Sequence, residues 1–285
     1  MLKRRTDRIR QAWSWVAIVM ALALMGSSIG SSFAAEDLYD SPVVQRIKAS
    51  GKLRAGVAQF LPFVGLDPTT GQHFGTGVEI GKKMAEKLGV ELEIVPQDWA
   101  VIVAGLQSGQ IDVAIAGLFV TLERLKVVDM YPYATMGTCW IALATNDKVN
   151  ELADLNNSQV IMAQQEGGGT YQLSRAKYPN AQQLARFVGS GAEFANITEV
   201  VSGQADVAPF DSVMVPVVKA DFPNLKVIPA NCPEVTDFTA GISVAYNKRD
   251  HGMHQVVQEV VAENRDEIEA NLLKFSDVKF LRKSQ

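Results

Sequence analysis

The chain has 285 residues, with 27 Lys and Arg against 31 Asp and Glu. Setting aside the first 34 residues, which hold five basic residues and the acid Asp7, leaves 22 basic against 30 acidic residues, a net charge of −8. That balance excludes nucleic acid as a partner, because phosphate neutralisation needs clustered Lys and Arg, and the remaining length is ample for one large domain or two smaller ones.

The first 34 residues read as a secretory signal peptide. Lys3, Arg4, Arg5, Arg8 and Arg10 form a basic head, Trp13 to Met25 is an uncharged apolar run, and Ser32-Phe33-Ala34 offers a small-x-small cleavage site. The apolar run is short for a bilayer span, which takes about 20 residues. No Cys lies near the cleavage site for lipid attachment, and no later run is long enough to span a membrane. Export makes a disulfide between Cys139 and Cys232 possible, with two buried thiols as the alternative.

Beyond the leader the chain alternates strand-like and helix-like segments. Leu53 to Val57 reads as a strand, Val78 to Leu88 as a helix with Ile80, Met84 and Leu88 on one face and Gly89 as its stop, and Val90 to Val95 as a strand. Trp99 to Gln107 reads as a helix closed by Gly109, and Ile111 to Ala116 as a buried parallel strand. The second half repeats the pattern with a strand over 159–163, a helix over 170–177 ended by Pro179, a helix over 193–201, a buried strand over 205–210, and a helix or turn over 212–219 interrupted by Pro216. Such alternation predicts an α/β fold with mainly parallel sheets. Ser108-Gly-Gln-Ile-Asp-Val-Ala recurs 94 residues later as Ser202-Gly-Gln-Ala-Asp-Val-Ala. A helix end, a Gly cap and a buried strand repeated in this way point to two lobes of similar design. The echoed strands end at Gly117-Leu118-Phe119 and Phe210-Asp211-Ser212, and ligands bind beyond the carboxyl ends of such strands.

Several residues near those ends carry usable chemistry. Thr121 is a good N-cap, and Arg124 one turn later runs against the helix dipole; its fork suits a carboxylate, or else pairs at the surface with Glu123 or Asp129. Glu166-Gly167-Gly168-Gly169-Thr170 leads from a strand into a helix whose first N–H groups suit a small anion, without the Lys of a nucleotide loop. Asp211 could hold an ammonium group or cap the next helix. Phe60, Phe63 and Trp99 could sandwich a ligand or pack in the core. His251 and His254 lie at helical spacing on what reads as a solvated face, and no nucleophile elbow or zinc spacing occurs. No cofactor or metal is expected.

Taken in order, these pieces resemble the bacterial extracellular solute-binding proteins of family 3, the polar amino-acid-binding group. The resemblance rests on Gly51 to Val57, Phe60-Leu61-Pro62-Phe63, Lys87 to Val90, Asp98-Trp99, Leu106 to Asp112, Thr121-Leu122-Glu123-Arg124 with Asp129 to Tyr133, Gly168-Gly169-Thr170, and Asp206 to Asp211. It implies a two-lobed periplasmic-binding-protein fold of type II with two crossover hinge strands and a ligand cleft between lobes. The lobes would comprise residues 36–138 with 243–285, and residues 139–242. It also implies a periplasmic, monomeric, non-enzymatic protein that captures an amino acid or related small carboxylate for an ABC permease in the inner membrane. The implied roles are Arg124 with Gly169 and Thr170 on the carboxylate, Asp211 and the Gly117 backbone on the ammonium, and Phe60 and Trp99 on the ligand side chain. Phe119 departs from the pattern, since relatives often carry Ser or Thr there to assist the ammonium, and Glu79 is a milder departure. Cyclohexadienyl dehydratases share the fold. In that group an acid follows the Gly-Gly-Thr threonine by two positions, where this chain has Gln172, with Glu166 the nearest substitute. A sensory role is a third possibility.

Overall fold

The computed structural model describes residues 39–187 and 195–277, all within one unit, Leu38–Gln285. The expected leader over residues 1–34 and the start of the helix expected at Glu193 lie outside the described residues. The chain enters through α1 (Pro42–Ser50), where Ser41 Oγ accepts from Val44 N at 3.1 Å and a proline sits in the first turn. The parallel strands β1 (Lys52–Val57), β4 (Glu91–Pro96) and β5 (Val113–Phe119) follow, with β1 between the other two. A small β2–β3 hairpin (Gly65–Leu66, His73–Phe74) precedes α2 (Thr76–Leu88), and α3 (Ile102–Ser108) connects β4 to β5. Helix α2 buries Val78, Ile80, Met84 and Leu88 and stops at Gly89, which takes the left-handed conformation. Helix α3 starts three residues later than the sequence predicts, because Val101 N and Ile102 N both bond to Asp98 O and hold Trp99 to Val101 in a turn.

The long strand β6 (Val128–Leu143) changes the character of the sheet. Its first half pairs antiparallel with β11 (Phe238–Asn247), which pairs antiparallel with β5. Its second half pairs antiparallel with β9 (Ala208–Asp211) and β10 (Leu225–Ile228). The expectation of mainly parallel sheets is therefore corrected to a mixed sheet, because strands that run from one α/β layer to the other meet the βαβ strands head to tail. The buried strand expected over 205–210 serves two neighbours: Val207 bridges Met162 of the parallel pair β7 (Ile161–Gln165) and β8 (Gln182–Arg186) in parallel, and β9 then pairs antiparallel with β6. Helices α4 (Leu122–Leu125), α5 (Gly169–Lys177), α6 (Ala195–Val201) and α7 (Val215–Asp221) cover this half and its junction with the first. Helices α8 (His251–Glu263) and α9 (Arg265–Phe275) return to the first layer, where Met253, Val257 and Ile268 join the core of Leu53, Met84 and Ile115. A separate core gathers Ile141, Ala163, Ile197, Phe210 and Val217. Pro216 opens α7 rather than interrupting a helix, since its missing N–H falls in the first turn where none is needed.

The repeated heptapeptide is one structural device used twice. Gly109 and Gly203 both take left-handed conformations that end a helix. Asp112 N donates to Arg54 O while Asp112 Oδ2 accepts from Arg54 N at 2.9 Å. Asp206 N donates to Ile161 O while Asp206 Oδ2 accepts from Ile161 N at 2.9 Å. Each acid thus pins the incoming strand to the start of its neighbour and fixes where the strand's far end emerges. Burial alone would raise the Asp112 carboxyl, but hydrogen bonds from Arg54 and Arg46 outweigh it and hold the group below its ordinary range.

Cys139 and Cys232 are joined, with Cα atoms 6.5 Å apart and a sequence separation of 93. Cys139 lies in β6 directly opposite Phe210 of β9. Closing a loop of that size contributes roughly 2–5 kcal/mol. Reduction, or the double change C139S/C232S, should lower the unfolding free energy measured in urea by that amount and shift the midpoint down accordingly. An unchanged midpoint would show that the bond does not form.

Candidate functional site

The C-terminal ends of β5, β7 and β9 converge on a cavity of about 100 Å³. That is several times the roughly 10–15 Å³ that one water needs, and it suits a molecule of several heavy atoms. All eight residues singled out from the sequence, Phe60, Trp99, Gly117, Phe119, Arg124, Gly169, Thr170 and Asp211, line it. Phe63 does not; it is fully buried beneath the site, where its ring would meet any Cβ at Gly117 within 2.6 Å. Gly117 has φ +72°, so the backbone turns there in a way that only glycine adopts cheaply.

One wall is built from the end of β5 and the single turn α4. Thr121 Oγ1 accepts from Arg124 N at 3.2 Å, so the cap read from sequence is present. The turn points the Arg124 side chain inward, where the residue is only 4 % exposed. Its Nη1 donates to Phe119 O and its Nη2 to Gly167 O, each at 2.8 Å. The surface pairing considered for Arg124 is not found: Glu123 faces Arg175 at 3.8 Å and Asp129 holds Lys248 at 2.7 Å. Arg124 makes no ion pair among the described residues, and burial pulls its guanidinium down to about 10. From a usual value near 12.5, that corresponds to roughly 3 kcal/mol of unfavourable charging. Two of its five N–H groups are used, leaving three donors.

The opposite wall is the loop from β7 into α5. Gly168 begins the helix with no side-chain cap, so the first N–H groups at Gly169 and Thr170 open toward the cavity rim. Gly167 and Gly169 are small of necessity. A Cβ on Gly167 would sit 2.5 Å from Ala100 Cα, and one on Gly169 would sit 2.5 Å from Phe119 Cβ. The far end of α5 is anchored by buried Asp237, which accepts from Lys177 Nζ and Tyr178 Oη at 2.6 Å and from Trp140 Nε1 at 2.8 Å. Asp211 ends β9 and makes no capping bond to the turn Ser212–Met214, so the capping alternative is not realised.

Aromatic rings form the floor. Phe60 meets Trp99 edge-on at 5.8 Å and Phe119 at 6.2 Å between centroids. Sequence reasoning missed Gln59, Gln165, Asn196 and Met214, which also line the cavity. It also missed the contact of Gln172 with Thr121: Gln172 Oε1 accepts from Thr121 Oγ1 at 2.5 Å across the gap between the walls. Nothing in residue type alone marks which side chains turn inward. His254 is engaged with the Tyr246 hydroxyl at 2.5 Å, and no cluster of metal-binding side chains occurs among the described residues.

Residues 53–274 match the family model of bacterial extracellular solute-binding proteins, family 3. The chain belongs to this family. Its family 3 relatives include a glutamine-binding protein of Geobacillus stearothermophilus, 27 % identical over 246 residues that make up 80 % of this chain and 90 % of that protein. A cyclohexadienyl dehydratase of Pseudomonas aeruginosa is 26 % identical over 69 % of this chain and 71 % of its own. Among solved structures, the chain is similar to an ancestral amino acid-binding protein described as a precursor of cyclohexadienyl dehydratase. The TM-score is 0.68 at 28 % identity, covering 82 % of this chain and 99 % of that one. It is also similar to an amino acid ABC transporter substrate-binding protein of Streptococcus pneumoniae bound to L-arginine, with a TM-score of 0.68 at 25 % identity over 85 % of this chain and 99 % of that one. The two-lobed α/β fold expected from the resemblance is the fold of these family 3 neighbours.

Contact between the two walls is testable without any ligand. Gly167→Ala and Gly203→Ala both place a side chain at a left-handed backbone, which costs about 1–3 kcal/mol. Only Gly167 faces neighbours within 4 Å. Urea unfolding should therefore show a larger loss for Gly167→Ala than for Gly203→Ala. Equal losses would show that the loop does not rest on Trp99 and Ala100 in solution.

Proposed function

We propose that this family 3 protein captures an amino acid or a closely related small carboxylate in the cavity and delivers it to an ABC permease. The observation that carries this reading is Arg124, a buried cation beside an open cavity with no anion paired to it. Burying a charge is unfavourable unless a counter-charge is supplied, and a ligand carboxylate supplies one. Thr170 and the uncapped N-terminus of α5 face the same space and favour the same charge. Asp211 and the carbonyl of Gly117 are the groups suited to an ammonium, while Phe60 and Trp99 offer apolar faces to a side chain. In this reading residues 36–138 with 243–285 form one lobe and residues 139–242 the other. They hinge on β6 and β11, and a monomer closes around its ligand. Residues 1–34 would direct export to the periplasm, where the Cys139–Cys232 bond is at home.

A catalytic reading is favoured by the similarity to the Pseudomonas dehydratase. Against it stands the chemistry of two side chains. The position where the resemblance implies a catalytic acid holds Gln172, an amide that does not ionise and cannot act as a general acid, already engaged by Thr121. Glu166, the nearest substitute, is exposed and does not line the cavity.

Two measurements separate these readings. Each of the twenty proteinogenic amino acids, tested singly by thermal shift and calorimetry, should reveal at least one that raises the melting temperature. Arg124→Met should then weaken that affinity at least about 100-fold. The stability of the empty protein should change by less than about 2 kcal/mol, since loss of the uncompensated charge offsets loss of two hydrogen bonds. Retained affinity would remove Arg124 from the site. Incubation with prephenate or arogenate should yield no product, and turnover would establish the enzyme.

A further inference from the structure

The turn that carries Arg124 is tied to the opposite wall by two hydrogen bonds, one of which touches the cavity, and by the exposed Glu123–Arg175 pair at 3.8 Å. The first is Arg124 Nη2 on Gly167 O at 2.8 Å. The second is Thr121 Oγ1 on Gln172 Oε1 at 2.5 Å. Thr121 is 4 % exposed and its hydroxyl oxygen already accepts from Arg124 N, which leaves its single proton for Gln172. Gln172 projects from α5 just beyond Thr170, the residue at the rim. Neither Thr121 nor Gln172 lines the cavity.

We infer that Thr121 and Gln172 form a latch across the cleft, a pair that never touches the ligand but sets how long the closed form lasts. The inference rests on the proposal that the lobes close around a ligand. The hydroxyl joins the backbone of the Arg124 turn to the helix whose N-terminus faces Arg124. The bond can therefore exist only when the two anion-binding groups are at their closed separation. In an open form water satisfies both partners, so the bond contributes the net value of one part-buried neutral hydrogen bond. That value is a factor of roughly three to ten in the closed-to-open ratio. Apparent affinity scales with the population of the closed form, and the change appears in dissociation rather than in encounter.

The experiment uses the whole mature chain and the proteinogenic amino acid that gives the largest thermal shift among the twenty. Stopped-flow tryptophan fluorescence should show that Gln172→Leu raises the dissociation rate about three- to tenfold and the Kd by the same factor. The association rate should stay within about twofold, and the empty protein's melting temperature within about 2 °C. The rank order of the twenty amino acids should be unchanged. Thr121→Val should do at least as much, because it also removes the cap, and Thr121→Ser should restore wild-type rates. T121V/Q172L should be no worse than Thr121→Val alone. A wild-type dissociation rate in Gln172→Leu, or additive effects in the double variant, overturns the latch. An altered rank order does so too, by making Gln172 a ligand contact. If the wild-type protein binds none of the twenty, the amino-acid reading of the proposed function falls and the latch falls with it. Failure of Gln172→Leu alone, in a protein that binds, removes only the latch.

Discussion

A guanidinium held between two main-chain carbonyls organises this molecule. Arg124 draws one carbonyl from the end of β5 and the other from the loop after β7, so a single side chain spans the two halves of the structure. Neither carbonyl carries a full charge, and the guanidinium stays depressed by burial. The two bonds fix the orientation of the fork while leaving its charge unmet. A group arranged in this way is oriented before any ligand arrives and is stabilised by an anion when one does. The glycines follow from the same geometry. Gly167 and Gly169 must lack side chains for the loop to come near Trp99, Ala100 and Phe119 at all.

The strands that place this side chain are constrained by continuity. Strand β6 is one uninterrupted segment that pairs with β11 in its first half and with β9 and β10 in its second. Its residue Thr138 stands opposite Asp211, and Cys139 stands opposite Phe210. The disulfide therefore secures the stretch of β6 against which the cavity-lining end of β9 is registered. Asp237, just before β11, performs the matching task for α5 by gathering Lys177, Tyr178 and Trp140. The contributions of β9 and α5 to the site are thus referred to β6 and to the start of β11 rather than to each other. Rotation about those strands would move the two contributions together.

The sequence made local devices legible because each is carried by a few adjacent residues. Gly89, Gly109 and Gly203 end helices through one conformation, and Thr121 caps through one hydroxyl. The Ser-Gly-Gln-x-Asp-Val-Ala echo marks two strands whose far ends meet at the cavity. Knowing the ends of those strands is enough to place Gly117, Phe119, Arg124 and Asp211 together. Strand direction was not legible. The run 205–210 has the apolar density of a parallel strand, but its pairing with β6 is decided by where the chain returns from elsewhere. The Cys139–Cys232 bond, the inward turn of Gln165 and Met214, and the meeting of Thr121 with Gln172 are long-range in the same sense. Each needs distances between residues far apart in sequence, which composition and periodicity do not encode. Pro216 was misjudged for a smaller reason: a proline reads as a break unless the first turn of a helix is known to begin there.

Phe119 brings these strands of reasoning to one place. Its carbonyl holds Arg124, its Cβ lies against Gly169, and its ring joins Phe60 in the aromatic floor. The resemblance implies a hydroxyl residue at that position, one that assists the ligand ammonium. A phenyl ring offers no such bond, so in the proposed complex the ammonium would rely on Asp211 and on the carbonyl of Gly117. The ring adds apolar surface instead, directly beside the groups that fix the carboxylate. The binding energy of such a site is weighted toward the carboxylate and the apolar floor, and away from the amine. A ligand whose amine is displaced or absent would lose less here than in a site built around a hydroxyl, because less of the site is devoted to holding it. If the proposed function holds, Phe119 is the position at which this chain's selectivity would be set, while its backbone carbonyl holds Arg124.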